Sequence, residues 1–264
     1  MASLIESFLL NHFAAFTLVL ARVGALVMTA PILGTKAAPI QFRAFLAIAL
    51  TLLVTPMFGS APTADVTNLL QFGKAVMSEA LVGMLLGLGV MILLSGVQVS
   101  GQIVSQMGGT AVAESFDPTL DTNLSVYSQL FYFLTLTMFV LLDGHRLIMG
   151  ALLDTYVWLP PGEATLGPSY VEALTSILGQ SFLLGVRAAA PAMIALFLST
   201  LVLGLIGRTM PQINILVIGF GINAMLTLGC LFISLGAIAW AFPQQAGAAI
   251  DVLRDAIKQA LPKA

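Results

Sequence analysis

Long apolar runs broken by proline and glycine leave this chain few choices of solvent. Six can be drawn, at residues 8–33, 40–58, 75–99, 124–142, 177–206 and 213–242. A run of about 20 apolar residues fits a hydrocarbon layer ~30 Å thick. In that layer runs of these lengths close their backbone hydrogen bonds only as helices. The charge supply agrees. Ten Lys and Arg and twelve Asp and Glu are spread over 264 residues, 59% of them hydrophobic, where a soluble domain carries about a quarter charged. The sequence predicts an all-α polytopic membrane bundle of six long helices.

The breakers lie between the runs: Pro31, Gly34 and Pro39; Pro56, Gly59 and Pro62; Gly108, Gly109 and Pro118; Pro160, Pro161 and Gly162; Gly207 and Pro211. A weaker run at 147–159 is too short to span and reads as a re-entrant or protein-covered element. The last two long runs hold 30 residues each, or ~45 Å of helix, more than tilt comfortably absorbs. Only residues 207–212 join them, so a long antiparallel hairpin is expected, with ends that other proteins cover. The N-terminus has no basic segment and contains Glu6, so the first run is expected to be a retained helix, not a cleaved signal.

Several function classes drop out here. The polar interludes are loop-sized, and no Lys/Arg cluster supports nucleic-acid binding. The lone Cys230 excludes an intrachain disulfide and reads as a packing residue. Glu114, Asp117 and Asp121 could gather a cation, but Pro118 interrupts their spacing. His12 and His145 lack partners in a metal or catalytic pattern, so neither an enzyme nor a cofactor is expected. Lys74, Arg146, Arg254, Lys258 and Lys263 fall on one side and Lys36, Arg43 and Arg208 on the other, too even a split to orient the chain. Residues 244–264 change character. Ile250, Leu253, Ile257 and Leu261 recur at helical spacing among charges, which predicts an amphipathic helix for a membrane interface, a partner groove or the protein's own surface.

Two arginines lie within apolar runs, where an unpaired charge is costly. Arg22 shares a helix face with Asn11 and Thr29, and Glu79 is a candidate partner. Arg187, four residues before Pro191, needs the same explanation. Arg22, Glu79 and Arg187 are therefore read as buried structural charges, the other reading being an ion pathway. Gly83 and Gly87 form a small-residue pair for close helix approach, within the chain or between subunits.

Residues 20–56, LARVGALVMTAPILGTKAAPIQFRAFLAIALTLLVTP, resemble the opening of the FliR family of flagellar export-gate subunits and of their virulence-secretion counterparts, the SctT proteins. Three further segments match in order: residues 101–118 (GQIVSQMGGTAVAESFDP), 139–161 (FVLLDGHRLIMGALLDTYVWLPP) and 204–221 (GLIGRTMPQINILVIGFG). The chain departs at Gly109, where relatives tend to carry a larger apolar residue.

The resemblance implies a non-enzymatic role in a helical, cone-shaped gate that passes unfolded flagellar proteins across the bacterial inner membrane at the basal body, part of it projecting on the periplasmic side. The implied partners are FliP-family and FliQ-family membrane subunits and the FlhB-family export-switch protein. It also implies a FliP-like portion at residues 1–172, a FliQ-like hairpin at 173–243, and the amphipathic helix at 244–264. Residues 106–118 are then expected to form the pore plug, with Gln106, Met107, Gly108, Gly109 and Phe116 at its centre; the alternative is that Met107 and Phe116 pack the loop against its own helices. At the hairpin tip, Arg208, Pro211 and Gln212 are expected to meet the export-switch protein. The competing class is a small-solute permease, which calls for a convergent polar site at mid-membrane.

Overall fold

Helix ends fall where the sequence places its breakers. The structure, a computed structural model, describes residues 2–31, 39–58, 68–110, 125–164, 167–210, 212 and 214–259. Seven helices and no strand occur among these residues: α1 (Ala2–Thr29), α2 (Ile40–Phe58), α3 (Leu69–Gly108), α4 (Val126–Leu141), α5 (Gly144–Trp158), α6 (Ser169–Thr209) and α7 (Ile215–Gln259). Five of them (α1, α2, α3, α6 and α7) are long and apolar enough to cross a membrane, and α4 with α5 makes a sixth span if the bent pair counts as one.

Caps explain two of the starts. The Asn68 side-chain oxygen accepts from the backbone N–H of Leu70 and Gln71, at 3.2 and 3.4 Å, and opens α3. Ser125 Oγ accepts from the Ser128 N–H at 3.1 Å and opens α4. Each satisfies an N–H that the first turn leaves without a partner. At the other end of α3, Gly109 adopts φ 78°, a left-handed terminator that a side chain would strain.

α3 and α7 run well past the C-terminal ends of their apolar runs. α3 continues past Val99 to Gly108 because its serines turn inward: Ser100 and Ser105 are buried. α7 continues through Pro243, so residues 244–259 are its last turns and not a separate helix. Proline forfeits one intrahelical bond, but the turns beyond it bury Ala246, Ala249, Ile250, Leu253, Ala256 and Ile257 on one face. That apolar face is covered by the chain itself.

The helices gather into two compact units. The first comprises Met1–Ile92, Asp143–Ile177 and Ala246–Ala264. In it α1 packs on α2, and α1 runs alongside α3 in parallel. A Cβ placed on Gly83 would strike the Arg22 carbonyl, and one on Gly87 would strike the Thr29 hydroxyl. The glycine pair thus serves packing within the chain. Gly83→Val is expected to cost about 1–3 kcal/mol by overpacking. Gly24→Ala meets open space and should be neutral or stabilise by up to ~1 kcal/mol through helix propensity. Thermal unfolding of the detergent-solubilised protein distinguishes the two, and equal melting temperatures would refute this packing account.

The second unit comprises Leu93–Leu142 and Leu178–Gln245. Here α6 and α7 form an antiparallel hairpin: Leu203 lies against Gly219, Ser199 Oγ donates to Asn223 Oδ1 at 2.7 Å, and Cys230 Sγ lies 3.9 Å from the Pro191 carbonyl. Val104 of α3, Ala189, Ala192 and Leu196 of α6, and Cys230 of α7 form its buried core. Phe139 of α4 meets Phe242 edge-on, with ring centres 6.4 Å apart. α3 approaches α6 so closely that a Cβ on Gly96 would strike the Ser181 backbone, and one on Gly185 the Gly96 carbonyl. Small residues are what bring backbones together where lipid supplies little drive for association.

Candidate functional site

Arg22 sits about two turns before the end of α1 with its side chain fully buried, and Glu79 of α3 is equally buried. Arg22 Nε donates to Glu79 Oε2 at 2.6 Å, Nη1 to Thr155 Oγ1 at 3.0 Å, and Nη2 to the Leu159 carbonyl at 3.0 Å. The Tyr156 ring lies 4.3 Å from the guanidinium carbon. The other Glu79 oxygen accepts from the Gly162 N–H at 2.8 Å. Gly162 has φ 95°, a conformation that aims this N–H inward and that other residues avoid.

Each bond here answers a local need. Leu159 follows the last turn of α5, where carbonyls lack intrahelical partners, and a cation at that end also complements the helix dipole. Tyr156 donates to the Val19 carbonyl at 3.4 Å. One ion pair thereby locks α1, α3, the end of α5 and the turn after it. Of the polar stripe read from the sequence, only Arg22 enters this network. Asn11 is exposed, and the Thr29 hydroxyl donates to its own helix at Ala25, at 2.7 Å.

Sequence reasoning missed Thr155, Tyr156, Leu159 and Gly162. Their signal was the segment TYVWLPPG, polar groups at a helix end followed by a proline–glycine turn. It also missed a second seam in the same unit. Arg254 Nη2 pairs with Asp154 Oδ2 at 2.9 Å, and Lys258 Nζ stands 4.4 Å from the Trp158 ring centre. The two pairs share a spacing of four, so α5 and α7 lie in register along one face.

In the second unit, the end of α3 carries the expected plug residues. Gln106 is exposed, Met107 is half-buried and Gly108 is buried. Met107 packs against the core cluster around Val104. Gly108 is helical and approaches Thr227, whose hydroxyl a Cβ would meet at 2.7 Å. Its role is close approach, and the left-handed turn belongs to Gly109 alone. Thr110 Oγ1 lies 2.8 Å from Ser105 Oγ and closes the terminus. Phe116, together with Glu114, Asp117 and Asp121, lies outside the described residues.

The hairpin tip presents Arg208 in the last turn of α6, exposed, with Gln212 and Asn214 exposed beyond it. Pro211 lies outside the described residues. Arg187, expected to be a buried structural charge, is exposed on α6 in the chain by itself. The face of α6 that carries it is one the chain leaves uncovered, while the opposite face, with Ala189, Ala192 and Leu196, is buried.

Residues 13–248 match the family described as bacterial export proteins, family 1. A flagellar biosynthetic protein FliR from Caulobacter vibrioides is 28% identical over 235 residues, spanning 89% of this chain and 94% of the relative. The FliR of Escherichia coli is 33% identical over 211 residues, 80% of this chain and 79% of its own. The FliR of Bacillus subtilis is 23% identical over 235 residues, 87% and 89% respectively.

Proposed function

This chain belongs to the bacterial export proteins, family 1, and from that premise we propose that it is a structural and gating subunit of the flagellar type III export gate. It is a membrane protein of an export apparatus whose relatives are FliR proteins. Its partners on this reading are FliP-family and FliQ-family subunits and the FlhB-family export-switch protein, and its cargo is unfolded flagellar protein. It lies in the inner membrane at the basal body, with part of the assembly projecting on the periplasmic side. Residues 1–172 act as the FliP-like portion and 173–243 as the FliQ-like hairpin. The role is non-catalytic, and family membership disfavours the permease reading.

The observation that carries this reading is uncovered apolar surface on overlong helices. α6 and α7 have 41 and 45 residues, ~60 Å or more at 1.5 Å per residue, against a hydrocarbon layer about half as thick. In α6 only 22% of the most apolar window is buried within the chain, compared with 61% in α3. Phe182, Phe197, Phe220, Phe232 and Trp240 are all exposed. Surface of that kind beyond the lipid requires protein neighbours. Cells lacking this chain should fail to export flagellar filament protein, and export should return with the plasmid-borne gene. Normal export in the deletion strain would overturn the reading.

The same proposal assigns Arg208, Pro211 and Gln212 to the export-switch partner, in a tip that carries one cation and polar groups between two apolar helices. A cysteine at Gln212, paired with cysteines across the partner's membrane-proximal segment, is expected to form a disulfide crosslink in membranes. Labelling by lipid-phase probes with no crosslink at any pairing would refute the contact.

A further inference from the structure

Arg187 and Arg208 are the only charged side chains among the described residues of the second unit. Arg208 is at a helix end. Arg187 is near the middle of α6, with Glu172 fifteen residues before it and Arg208 twenty-one after, ~22 Å and ~31 Å along the axis. No carboxylate of α6 reaches it, and α7 carries none before Asp251. It has no hydrogen bond or ion pair from its side chain among the described residues.

Its surroundings make the charge costly as it stands. Successive residues turn by 100°, so Leu183, Ile194, Leu198, Leu201 and Leu205 share its face, and all are exposed. Pro191 has no N–H to give the carbonyl four residues back, which is that of Arg187 itself. The middle of an apolar stripe therefore presents a guanidinium beside a carbonyl that lacks its usual helical donor. Lipid satisfies neither, and a mid-span arginine facing hydrocarbon is strongly disfavoured.

We propose that the Arg187 face of α6 is an intersubunit docking surface, whose occupant is an apolar membrane helix of a different subunit carrying an aspartate or glutamate at the depth of Arg187. The proposal rests on the hetero-oligomeric gate reading and adds to it the chemistry of one contact. Charge complementarity selects the occupant. A planar guanidinium is best matched by a carboxylate held in two hydrogen bonds, and the apolar stripe on either side matches a helix more closely than it matches water. A second copy of this chain is a poor occupant, because its described residues in this unit offer arginines and no acid. Arg187 thus sets register between subunits, as single polar groups do in other helical interfaces.

The test compares Arg187→Glu, Arg187→Lys and wild type, all expressed with the partner genes and extracted in mild detergent. Recovery of this chain in the hetero-complex should fall about tenfold or more for Arg187→Glu, since like charges opposed in an apolar interface oppose docking, and should be largely kept for Arg187→Lys. Unassembled chain is itself expected to be degraded, so recovery is scored per amount of this chain in the membranes, and Arg187→Lys, equally exposed, separates docking from folding. Suppressors of Arg187→Glu should replace an acidic residue of a partner helix by Lys or Arg. In a Cys230→Ala background, Arg187→Cys should resist water-soluble thiol reagents in the assembled complex.

Wild-type recovery for Arg187→Glu would overturn the proposal while leaving the gate reading intact. Suppressors confined to Glu114, Asp117 or Asp121 would overturn it in favour of a contact within the chain. Rapid labelling of Arg187→Cys would overturn it in favour of an aqueous conduit. Absence of any hetero-complex with the wild type would sink both the proposal and the reading on which it rests.

Discussion

Glu79→Ala is expected to destabilise the protein by about 3–5 kcal/mol, the cost of leaving a buried charge without its partner. Arg22 would keep its bonds to Thr155 and Leu159 but lose the carboxylate at 2.6 Å, and the Gly162 N–H would lose its acceptor. α1, α3 and the turn after α5 would lose their common anchor. Such a loss is large beside the marginal stability of a domain, so the variant chain should be strongly depleted from membranes and its complex should dissociate at lower temperature. Replacing both charges, as Arg22→Met with Glu79→Leu, should recover most of the loss, because apolar pairs often substitute for buried ion pairs without net cost. Recovery should be incomplete, since the Leu159 carbonyl and Gly162 N–H remain unpaired. Immunoblots of membranes and thermal melts of the purified complex report both effects. Wild-type levels and melting for Glu79→Ala would show that the pair is dispensable.

Removing the plug is the second large effect expected. A gate for unfolded chains must admit polypeptide yet hold back ions, so its seal has to move aside and re-form. The proposed seal, residues 106–118, starts in the last turn of α3 before the positive-φ Gly109, and takes in Met107, Phe116 and the residues between. Deleting residues 109–113 should raise ion and small-solute leakage on the order of tenfold or more, since an unsealed conduit wide enough for polypeptide no longer dehydrates or excludes ions. Phe116→Ala should leak less than the deletion and more than wild type. Met107 also packs against Val104 and its neighbours, so Met107→Ala is a weaker test, with a packing cost mixed into its effect. Proteoliposomes carrying the intact complex give the measurement. Unchanged permeability in a correctly assembled deletion variant would rule out the plug.

Helix number and most helix ends were legible in the sequence because apolar length, proline and glycine act locally. The continuation of α3 and α7 past residues 99 and 242, where their apolar runs stop, was not. Buried Ser100 and Ser105, and the apolar face beyond Pro243, carry the two helices on because tertiary burial outweighs local preference. Arg22 and Glu79 could be suspected of pairing, since a charge within an apolar run must find a counter-charge. Thr155, Tyr156 and Gly162 could not, because hydrogen-bonding side chains at a helix end have many routine uses. Arg187 looked the same as Arg22 in sequence. What separates them is which face of a helix the rest of the chain covers, and the pattern of α6, apolar on every side, does not encode that. The glycine pair at 83 and 87 was equally mute about its partner, which proves to be α1 of the same chain.

A gate subunit of this kind should be found with several different subunits in a single membrane complex. Intact-mass measurement of that complex, extracted in mild detergent with an affinity tag on this chain alone, decides the matter. One hetero-oligomer is expected, containing this chain together with at least two other kinds of polytopic membrane subunit. The chain expressed alone is expected to aggregate or be degraded. A monodisperse, protease-resistant monomer or homo-oligomer in the same detergent would contradict the gate reading.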